Sequence, residues 1–291
     1  MKSNPLVSIV LTSYNQKSLL ERAFESLISQ TYKNLEIIIV DDCSTDGVTI
    51  PYIERVTKKF PERVRYHIQA RNVGIPKNKN TGFKMCKGDF ITYLDGDDYF
   101  LPEKIEQELA TFRKDPSLDV VFSNFHIISE SNKLVEQWKS NEEIMPQGHI
   151  FKDIVMRQFP KSILFRFELM KSEVLSRIGY YDENISAFHD WDSRIRYSIF
   201  AMIGFTNQLG SAYVTGENGI SKTMSRSSLL CEMRHVFLKN YELLIQSVGK
   251  KEAKSLKQIF LSKNRFQILK CVNIREQPLL YMKARLKFEN L

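Results

Sequence analysis

Short apolar runs alternate with amphipathic segments through the first 130 residues of the chain. Five runs have the length and β-branched content of strands: residues 7–11, 35–40, 64–68, 90–94 and 118–125. Between them, apolar positions recur at helical spacing over residues 18–28, 52–60, 77–86 and 102–114. Ser18 and Glu21 have the spacing of a capping box, and Pro102 suits the first turn of a helix. This alternation predicts an α/β fold with a mostly parallel, Rossmann-like central sheet and helices on both faces.

The pattern is less regular in the second half. Residues 129–148 are polar and predict a loop or an edge region. Helical spacing returns at residues 150–159, 168–178 and 192–202, and again from residue 227 onward. We therefore expect a helical C-terminal extension after the sheet domain.

The composition is that of a soluble globular protein, with 43% hydrophobic and 26% charged residues among 291. No apolar run approaches the length of a membrane span, and the first run is too short for the core of a signal peptide. The four cysteines are scattered with no Cys-x-x-Cys pair, which argues against a disulfide scaffold or a zinc site. These features predict a protein of the reducing cytoplasm.

The positive charge is concentrated at the C-terminal end. Residues 250–291 contain eleven Lys or Arg and three Glu, a net charge of +8 that equals that of the whole chain. A basic segment can bind nucleic acid, anionic lipid or another acidic partner. Apolar residues at helical spacing within it favour an amphipathic helix on an anionic membrane surface over nucleic acid. The alternative is a helix that packs on the main domain and exposes its charged face to solvent.

Polar residues follow each of the first four predicted strands, at residues 12–15, 41–47, 71–74 and 95–98. The carboxyl ends of parallel strands meet at one edge of the sheet, where ligands bind in open α/β folds. The last segment places Asp95, Asp97 and Asp98 within four residues. Such a cluster either faces water as an acidic surface turn or is screened by a hard cation such as Mg²⁺ or Mn²⁺. Its place among four such strand ends favours a metal and nucleotide-diphosphate site.

The order and spacing of these segments resemble the family-2 glycosyltransferases. The motifs that carry the resemblance are Thr12-Ser13-Tyr14-Asn15, Gln30-Thr31-Tyr32, Asp41-Asp42-Cys43-Ser44-Thr45-Asp46-Gly47, Asn72-Val73-Gly74 and Asp95-Gly96-Asp97-Asp98. The resemblance covers roughly residues 5–225. It implies the GT-A fold and sugar transfer with inversion at the anomeric carbon. It also implies a catalytic domain over residues 1–226, with a nucleotide-sugar half at 1–100 and an acceptor half at 101–226, before a basic helical extension at 227–291.

The resemblance assigns roles to individual residues. The residues implied to bind the nucleotide-sugar are Thr12, Tyr14, Asp41, Asp42, Arg71, Lys79, Asp95 and Gly96. Asp97 and Asp98 are implied to hold Mn²⁺ or Mg²⁺ at the diphosphate, Asp97 being the preferred ligand. Residues 179–183 resemble the family's Gly-x-Phe-Asp-Glu element. Asp190 stands where the family has an acidic pair and is implied to be the general base that takes the acceptor's proton.

Several of these residues have alternative interpretations. Asp41 and Asp42 could cap the following turn, and Tyr14 could be a core aromatic. Asp192 competes with Asp190 for the role of base, although an N-cap of the following helix suits it better. The neighbouring His189 and Trp191 could be packing residues or could touch acceptor or donor, His189 standing where the family has an acidic residue.

Two departures from the family pattern and one absence complete the expectations. Lys79-Asn80 stands where the family often has an Arg-Asn pair, and lysine lacks the planar guanidinium with which arginine makes two parallel hydrogen bonds. Residues 216–219 replace a region where a histidine often helps to bind metal or phosphate. The Gln-x-x-Arg-Trp element of processive synthases is absent, which favours single sugar addition.

The expected function is transfer from a UDP-sugar to a glycan or lipid-linked acceptor. The rivals are an inactive nucleotide-binding scaffold and a nucleotidyltransferase, the latter weakened by the missing Gly-rich activation loop.

Overall fold

The computed structural model describes residues 2–216 and 224–271. Its strands are β1 (Val7–Ser13), β2 (Leu35–Asp41), β3 (Val64–Ile68), β4 (Phe90–Leu94), β5 (Tyr99–Phe100), β6 (Val120–Ser129), β7 (Leu134–Gln137), β8 (Leu169–Lys171) and β9 (Ile203–Thr215). Its α-helices are α1 (Lys17–Ile28), α2 (Thr49–Lys59), α3 (Ile75–Met85), α4 (Lys104–Lys114), α5 (Phe151–Met156), α6 (Ser172–Ile178), α7 (His189–Ser198), α8 (Arg226–Lys239), α9 (Tyr241–Val248) and α10 (Lys250–Cys271). A short 3-10 turn spans Pro160–Ser162.

The strands form one sheet in the order β3-β2-β1-β4-β8-β6-β9-β5, with β7 paired to β6. The first four strands are parallel, as the sequence predicts, and β1 and β2 are buried along their whole length. The second half is mixed, because β8 runs antiparallel between β4 and β6 while β6 and β9 are parallel. The α/β fold with helices on both sides of a central sheet is therefore confirmed, and its parallel part is the first half.

Three local predictions are wrong. The first helix begins at Lys17 after Gln16, so Ser18 lies inside the first turn and makes no cap. Residues 168–178 are not one helix, because pairing with β4 and β6 draws the chain into β8 before α6 begins. The helix predicted at 192–202 begins earlier, at His189, and α7 ends at Ser198 before the chain enters β9.

The C-terminal helices pack on the sheet domain as far as their side chains are described. Leu256 and Phe260 of α10 are buried, and the Phe260 ring stacks on Phe237 of α8 with centroids 4.0 Å apart. The Phe260 ring also packs on Trp191 of α7, with ring centroids 5.9 Å apart. This part of the basic segment follows the packing alternative, and residues 272–291 lie outside the described residues. Across the described residues, no helix combines the length and apolar character needed to cross a membrane.

Candidate active site

The loops after the parallel strands converge as the strand pattern predicts. Thr12 at the end of β1 donates its hydroxyl to Asp95 Oδ1 after β4, at 3.1 Å. The backbone N–H groups of Val73 and Gly74, after β3, donate to the two carboxylate oxygens of Asp42 at 2.7 and 2.9 Å. One edge of the sheet thus gathers residues from four separate segments of the chain.

Asp41 and Asp42 differ in what they hold. Asp41 is fully buried, and its carboxylate accepts from the backbone N–H and the hydroxyl of Ser44 at 2.7 and 2.6 Å. It therefore shapes its own turn, which is the capping alternative. Asp42 is 5% exposed and ties the loop after β2 to the loop after β3. Both carboxylates fix the backbone that borders the site.

Tyr14 and Arg71 lie at the open rim of this edge. Tyr14 is 46% exposed, so the core-aromatic alternative is wrong. Arg71 is also exposed. An exposed ring and an exposed guanidinium beside buried polar groups are available to a ligand that enters from solvent.

Lys79 of α3 reaches across to the acidic cluster. Its ammonium lies 2.8 Å from Asp95 Oδ1 and 4.0 Å from the ring centroid of Tyr93, and its side chain is only 3% exposed. Burial opposes ionisation of Asp95, yet the Lys79 charge outweighs it and lowers the pKa of that carboxyl. A lysine supplies this point charge as well as an arginine would, so Asp95 is held ionised beside Thr12.

Gly96 occupies a position with no room for a side chain. A Cβ at this position would lie 2.4 Å from the carbonyl oxygen of Thr12 and 2.3 Å from Gln16 Nε2. Real Cβ atoms do not approach other atoms so closely, and the Thr12 oxygen belongs to the backbone of a buried strand. The glycine therefore lets the acidic loop pass directly against the end of β1.

Asp97 and Asp98 lie in surroundings that oppose their ionisation. Burial, followed by repulsion from Asp95, raises the pKa of Asp97. Burial and repulsion from Asp97 and Asp95 raise the pKa of Asp98 well above its usual range. Asp98 is 1% exposed, and its Oδ1 accepts from the backbone N–H of Val214 on β9 at 2.7 Å. For these two acids the nearby cations do not outweigh burial and repulsion, whereas Lys79 does so for Asp95.

A divalent cation fits this cluster in donor chemistry. Carboxylate oxygens are the ligands that Mg²⁺ and Mn²⁺ prefer, and a cation would relieve the repulsion that raises both pKa values. Asp97 is the better placed ligand because Asp98 already uses one oxygen for Val214. Across the described residues, no group of three or more His, Cys, Asp or Glu side chains is arranged to hold a metal. Of the region expected to supply another contact, residues 217–219 lie outside the described residues.

Arg166 is a site residue that the sequence analysis missed. Its guanidinium stacks on the Tyr213 ring at 3.8 Å and interacts electrostatically with Asp98 and Asp190. Its Nε is buried without a hydrogen-bond partner in the part of the chain that the structure describes. A single cation thus faces both the acidic loop and Asp190. The available sequence signal was a pair of charged residues, Arg166 and Glu168, inside the apolar run at 163–170.

Asp190 sits in the first turn of α7 and is held by Arg194. Arg194 NH1 donates to Asp190 Oδ2 at 2.6 Å, and the backbone N–H of Trp191 donates to Oδ1 at 2.8 Å. Burial opposes ionisation, but the guanidinium groups of Arg194 and Arg166 hold the pKa of the Asp190 carboxyl far below its usual value. With 27% of its side chain exposed, Asp190 is an ionised acceptor that solvent and ligands can reach.

The neighbours of Asp190 have different roles. Asp192 lies inside α7, fully buried, where it accepts from Arg196 and Asn240 at 2.8 Å each, so the N-cap interpretation is wrong. Trp191 is fully buried and donates Nε1–H to the Ile154 carbonyl at 2.8 Å, which makes it a packing residue. His189 Nδ1 lies 2.9 Å from the Ser186 carbonyl oxygen, and burial and Lys79 lower its pKa, so the ring is neutral.

Comparison with known proteins gives a matching family model and individual relatives. The model of glycosyl transferase family 2 matches residues 8–173. An uncharacterised glycosyltransferase of Rickettsia prowazekii is 28% identical over 214 residues, which cover 72% of this chain and 64% of that protein. The chain therefore spans slightly less than two thirds of that relative. A chondroitin synthase of Escherichia coli is 38% identical over 135 residues, 46% of this chain and 19% of that protein.

Solved structures show the same fold at low identity. S. aureus TarS 1-349 in complex with UDP superposes with a TM-score of 0.67 at 18% identity, covering 97% of this chain and 80% of that one. The mannosyltransferase PcManGT of Pyrobaculum calidifontis, in complex with GDP-Man and Mn²⁺, gives 0.60 at 15% identity, covering 98% and 81%. These likenesses identify the architecture as the GT-A fold. Because the family model covers more than half of its residues, the chain belongs to glycosyl transferase family 2.

Proposed function

We propose that the protein transfers one sugar from a nucleotide-sugar, a UDP-sugar, to a hydroxyl group of a glycan or lipid-linked saccharide. The observation that carries the proposal is the arrangement of two separate acidic groups around one shared cation. Arg166 interacts electrostatically with Asp190 and with Asp98 of the acidic loop after β4. The acidic loop and the acceptor-side acid therefore border one site, as group transfer between two bound molecules requires.

The donor side uses the residues at the sheet edge. Thr12, Tyr14, Asp41, Asp42 and Arg71 border the space for base and ribose. Lys79, Asp95 and Gly96 continue this edge toward the transferred sugar. Of the similar structures, S. aureus TarS binds UDP and UDP-GlcNAc, and PcManGT binds GDP-Man. These ligands support a nucleotide-sugar donor, and the transferred group is a hexosyl or an N-acetylhexosaminyl residue.

The metal ligands in this proposal are Asp97 and Asp98. Mn²⁺ or Mg²⁺ bound there would supply positive charge for the diphosphate leaving group. The Mn²⁺ in the PcManGT structure supports this assignment. Asp95 is engaged by Lys79 and Thr12 and is therefore kept for the donor's ribose or sugar.

Asp190 performs the proton transfer. An acceptor hydroxyl is a poor nucleophile, and an ionised carboxylate within hydrogen-bond reach removes its proton as the new bond to C1 forms. The bond from C1 to the diphosphate oxygen breaks in the same step, and its electron pair leaves with the nucleoside diphosphate. One displacement inverts the anomeric carbon, so a second nucleophilic carboxylate of the kind used by retaining hydrolases is not needed.

The proposed setting is bacterial surface polysaccharide synthesis on the cytoplasmic side of a membrane. The chondroitin synthase relative supports a polysaccharide product, and the basic segment 250–291 supports contact with anionic lipid. Flotation with anionic vesicles should retain the protein at low salt and release it at high salt. No binding at low salt would remove the membrane part of the proposal.

A thermal-shift screen of nucleotide-sugars with Mn²⁺ tests the function. A ligand that binds only the folded protein raises its melting temperature, and a UDP-sugar should do so more strongly with Mn²⁺ than without it. Asp97→Asn is the matched variant and should lose the Mn²⁺-dependent part of the shift. If UDP-sugars bind but no donor is turned over with any saccharide, the protein is a nucleotide-binding scaffold instead.

A further inference from the structure

A buried ion pair lies directly behind Asp190. The guanidinium of Arg194 is 1% exposed and donates through NH1 to Asp190. Through NH2 it donates to Glu168 Oε2 at 2.9 Å and to the hydroxyl of Tyr93 at 3.1 Å. One cation therefore serves two carboxylates that come from different parts of the chain.

Glu168 is committed to this cation. Its side chain is 2% exposed, and its second oxygen accepts from the hydroxyl of Tyr197 at 3.0 Å. Burying a carboxylate and a guanidinium costs solvation energy that a pair of apolar residues would not lose. An ion pair that only stabilised α7 would need neither Glu168 nor Tyr93. The extra partners instead fix where the Arg194 guanidinium lies.

We propose that Arg194 is a positioning residue for sugar transfer, and that Glu168 tunes it by sharing its positive charge with Asp190. This inference rests on the proposed function. Arg194 holds one Asp190 oxygen, which sets the orientation of the carboxylate that faces the acceptor hydroxyl. Without Glu168, the full positive charge of Arg194 would act on Asp190 and make it a weaker base. The negative charge of Glu168 opposes this weakening.

Other charged or titratable groups also face Asp190. They are Arg157, Arg166, His189, Tyr93 and Tyr181, from segments outside the Arg194–Glu168 pair. Among the described residues, Arg194 is the only cation that forms an ion pair with Asp190, with 2.6 Å between its NH1 and Asp190 Oδ2. Changes at Arg194 should therefore move the behaviour of Asp190 more than changes elsewhere.

The first test is the pH profile of kcat/KM for the double variant Glu168→Gln/Arg194→Gln. Changing both residues avoids leaving one buried charge unpaired. The wild-type profile should be flat on its acidic side down to about pH 5, because Asp190 stays ionised. In the double variant the acidic limb should lie at least about one pH unit above that of the wild type. Without Arg194, burial favours the protonated form of Asp190. The same profile as the wild type, scaled only in rate, would overturn the proposal.

Arg196→Gln is the matched control. Arg196 forms an ion pair with the buried Asp192 on the same helix and at the same spacing, but does not contact Asp190. The Arg196→Gln substitution should reduce stability and leave the pH profile in place.

Glu168→Gln alone preserves the shape and the hydrogen-bonding atoms of the side chain, and it should lower kcat several-fold with an unchanged KM for the donor. An unchanged kcat would show that Glu168 does not tune the base.

A measurement without turnover separates this inference from the proposed function. Carbon NMR of the Asp carboxyl groups, with Asp190→Asn to identify the signal, gives the titration of Asp190 directly. Asp190 should titrate at least about one pH unit higher in the double variant than in the wild type. Equal titration in both would refute the role of Arg194. If the shift occurs but no donor is ever turned over, the proposed function fails while the coupling of Arg194 to Asp190 stands.

Discussion

Phe260 should hold the C-terminal helices to α7 of the sheet domain. Its ring is 6% exposed and lies between Phe237 of α8, at 4.0 Å, and Trp191 of α7, at 5.9 Å. Replacing a buried Phe with Ala typically costs about 3–5 kcal/mol through lost burial and the cavity left behind. Because the Phe260 side chain keeps some exposure, we expect a cost at the lower end of this range, about 3 kcal/mol. That loss corresponds to roughly a 100-fold change in an opening equilibrium.

Hydrogen exchange of α10 amides measures this loss locally. In Phe260→Ala, protection over the early turns of α10 should fall by about 100-fold, while protection of β1 and β2 falls less. The matched control is Ile259→Ala, one residue away on the same helix but 43% exposed, which should change stability by about 0.5 kcal/mol or less. Equal protection in the two variants would refute the packing of α10 on α7 and α8.

Three further outcomes follow from the site and its surroundings. Gly96→Ala should cost about 1–3 kcal/mol in urea unfolding and weaken donor binding, because the added Cβ would meet the Thr12 carbonyl at 2.4 Å; unchanged values would contradict the tight loop. The hydrogen bond from Lys239, at 2.7 Å, lowers the pKa of Asp182 to about 2, so its stabilisation is complete above the unfolded pKa near 4 and is lost as pH falls toward 2. After allowance for solvent screening, Asp182→Asn should cost about 1 kcal/mol at pH 7 and progressively less below pH 4, as measured by urea unfolding across that range. Chelation with EDTA should abolish turnover and Mn²⁺ or Mg²⁺ should restore it, whereas full turnover in EDTA would exclude the metal role of Asp97.

The first half of the fold could be predicted because its signals are local. Strands buried on both faces are continuously apolar, as at residues 37–40, and their polar ends are adjacent to them in sequence. Asp95 and Gly96 could be selected for the same reason, whereas Lys79 lies inside α3 and was indicated only by the family resemblance. The interpretation of residues 168–178 failed because β8 is defined by pairing with β4 and β6, which no local pattern records.

The surroundings of Asp190 depend on contacts between residues that are distant in sequence. Arg194 meets Glu168, 26 positions away, and Tyr93, 101 positions away. Neither the helical spacing of α7 nor the composition of its residues indicates such partners. The one sequence signal was the pair of charges, Arg166 and Glu168, inside an otherwise apolar run. Charged residues at positions where burial is expected are therefore worth treating as site candidates.

The central claim is that Asp190 accepts the proton of the acceptor hydroxyl, and the transfer rate of Asp190→Asn tests it most directly. The substitution preserves shape and removes the charge, so calorimetry should show unchanged nucleotide binding at the sheet edge. Loss of a general base typically lowers the rate by about 10²–10⁴-fold, and a kcat reduced by that factor is the predicted result. A variant that transfers sugar at the wild-type rate would contradict the account.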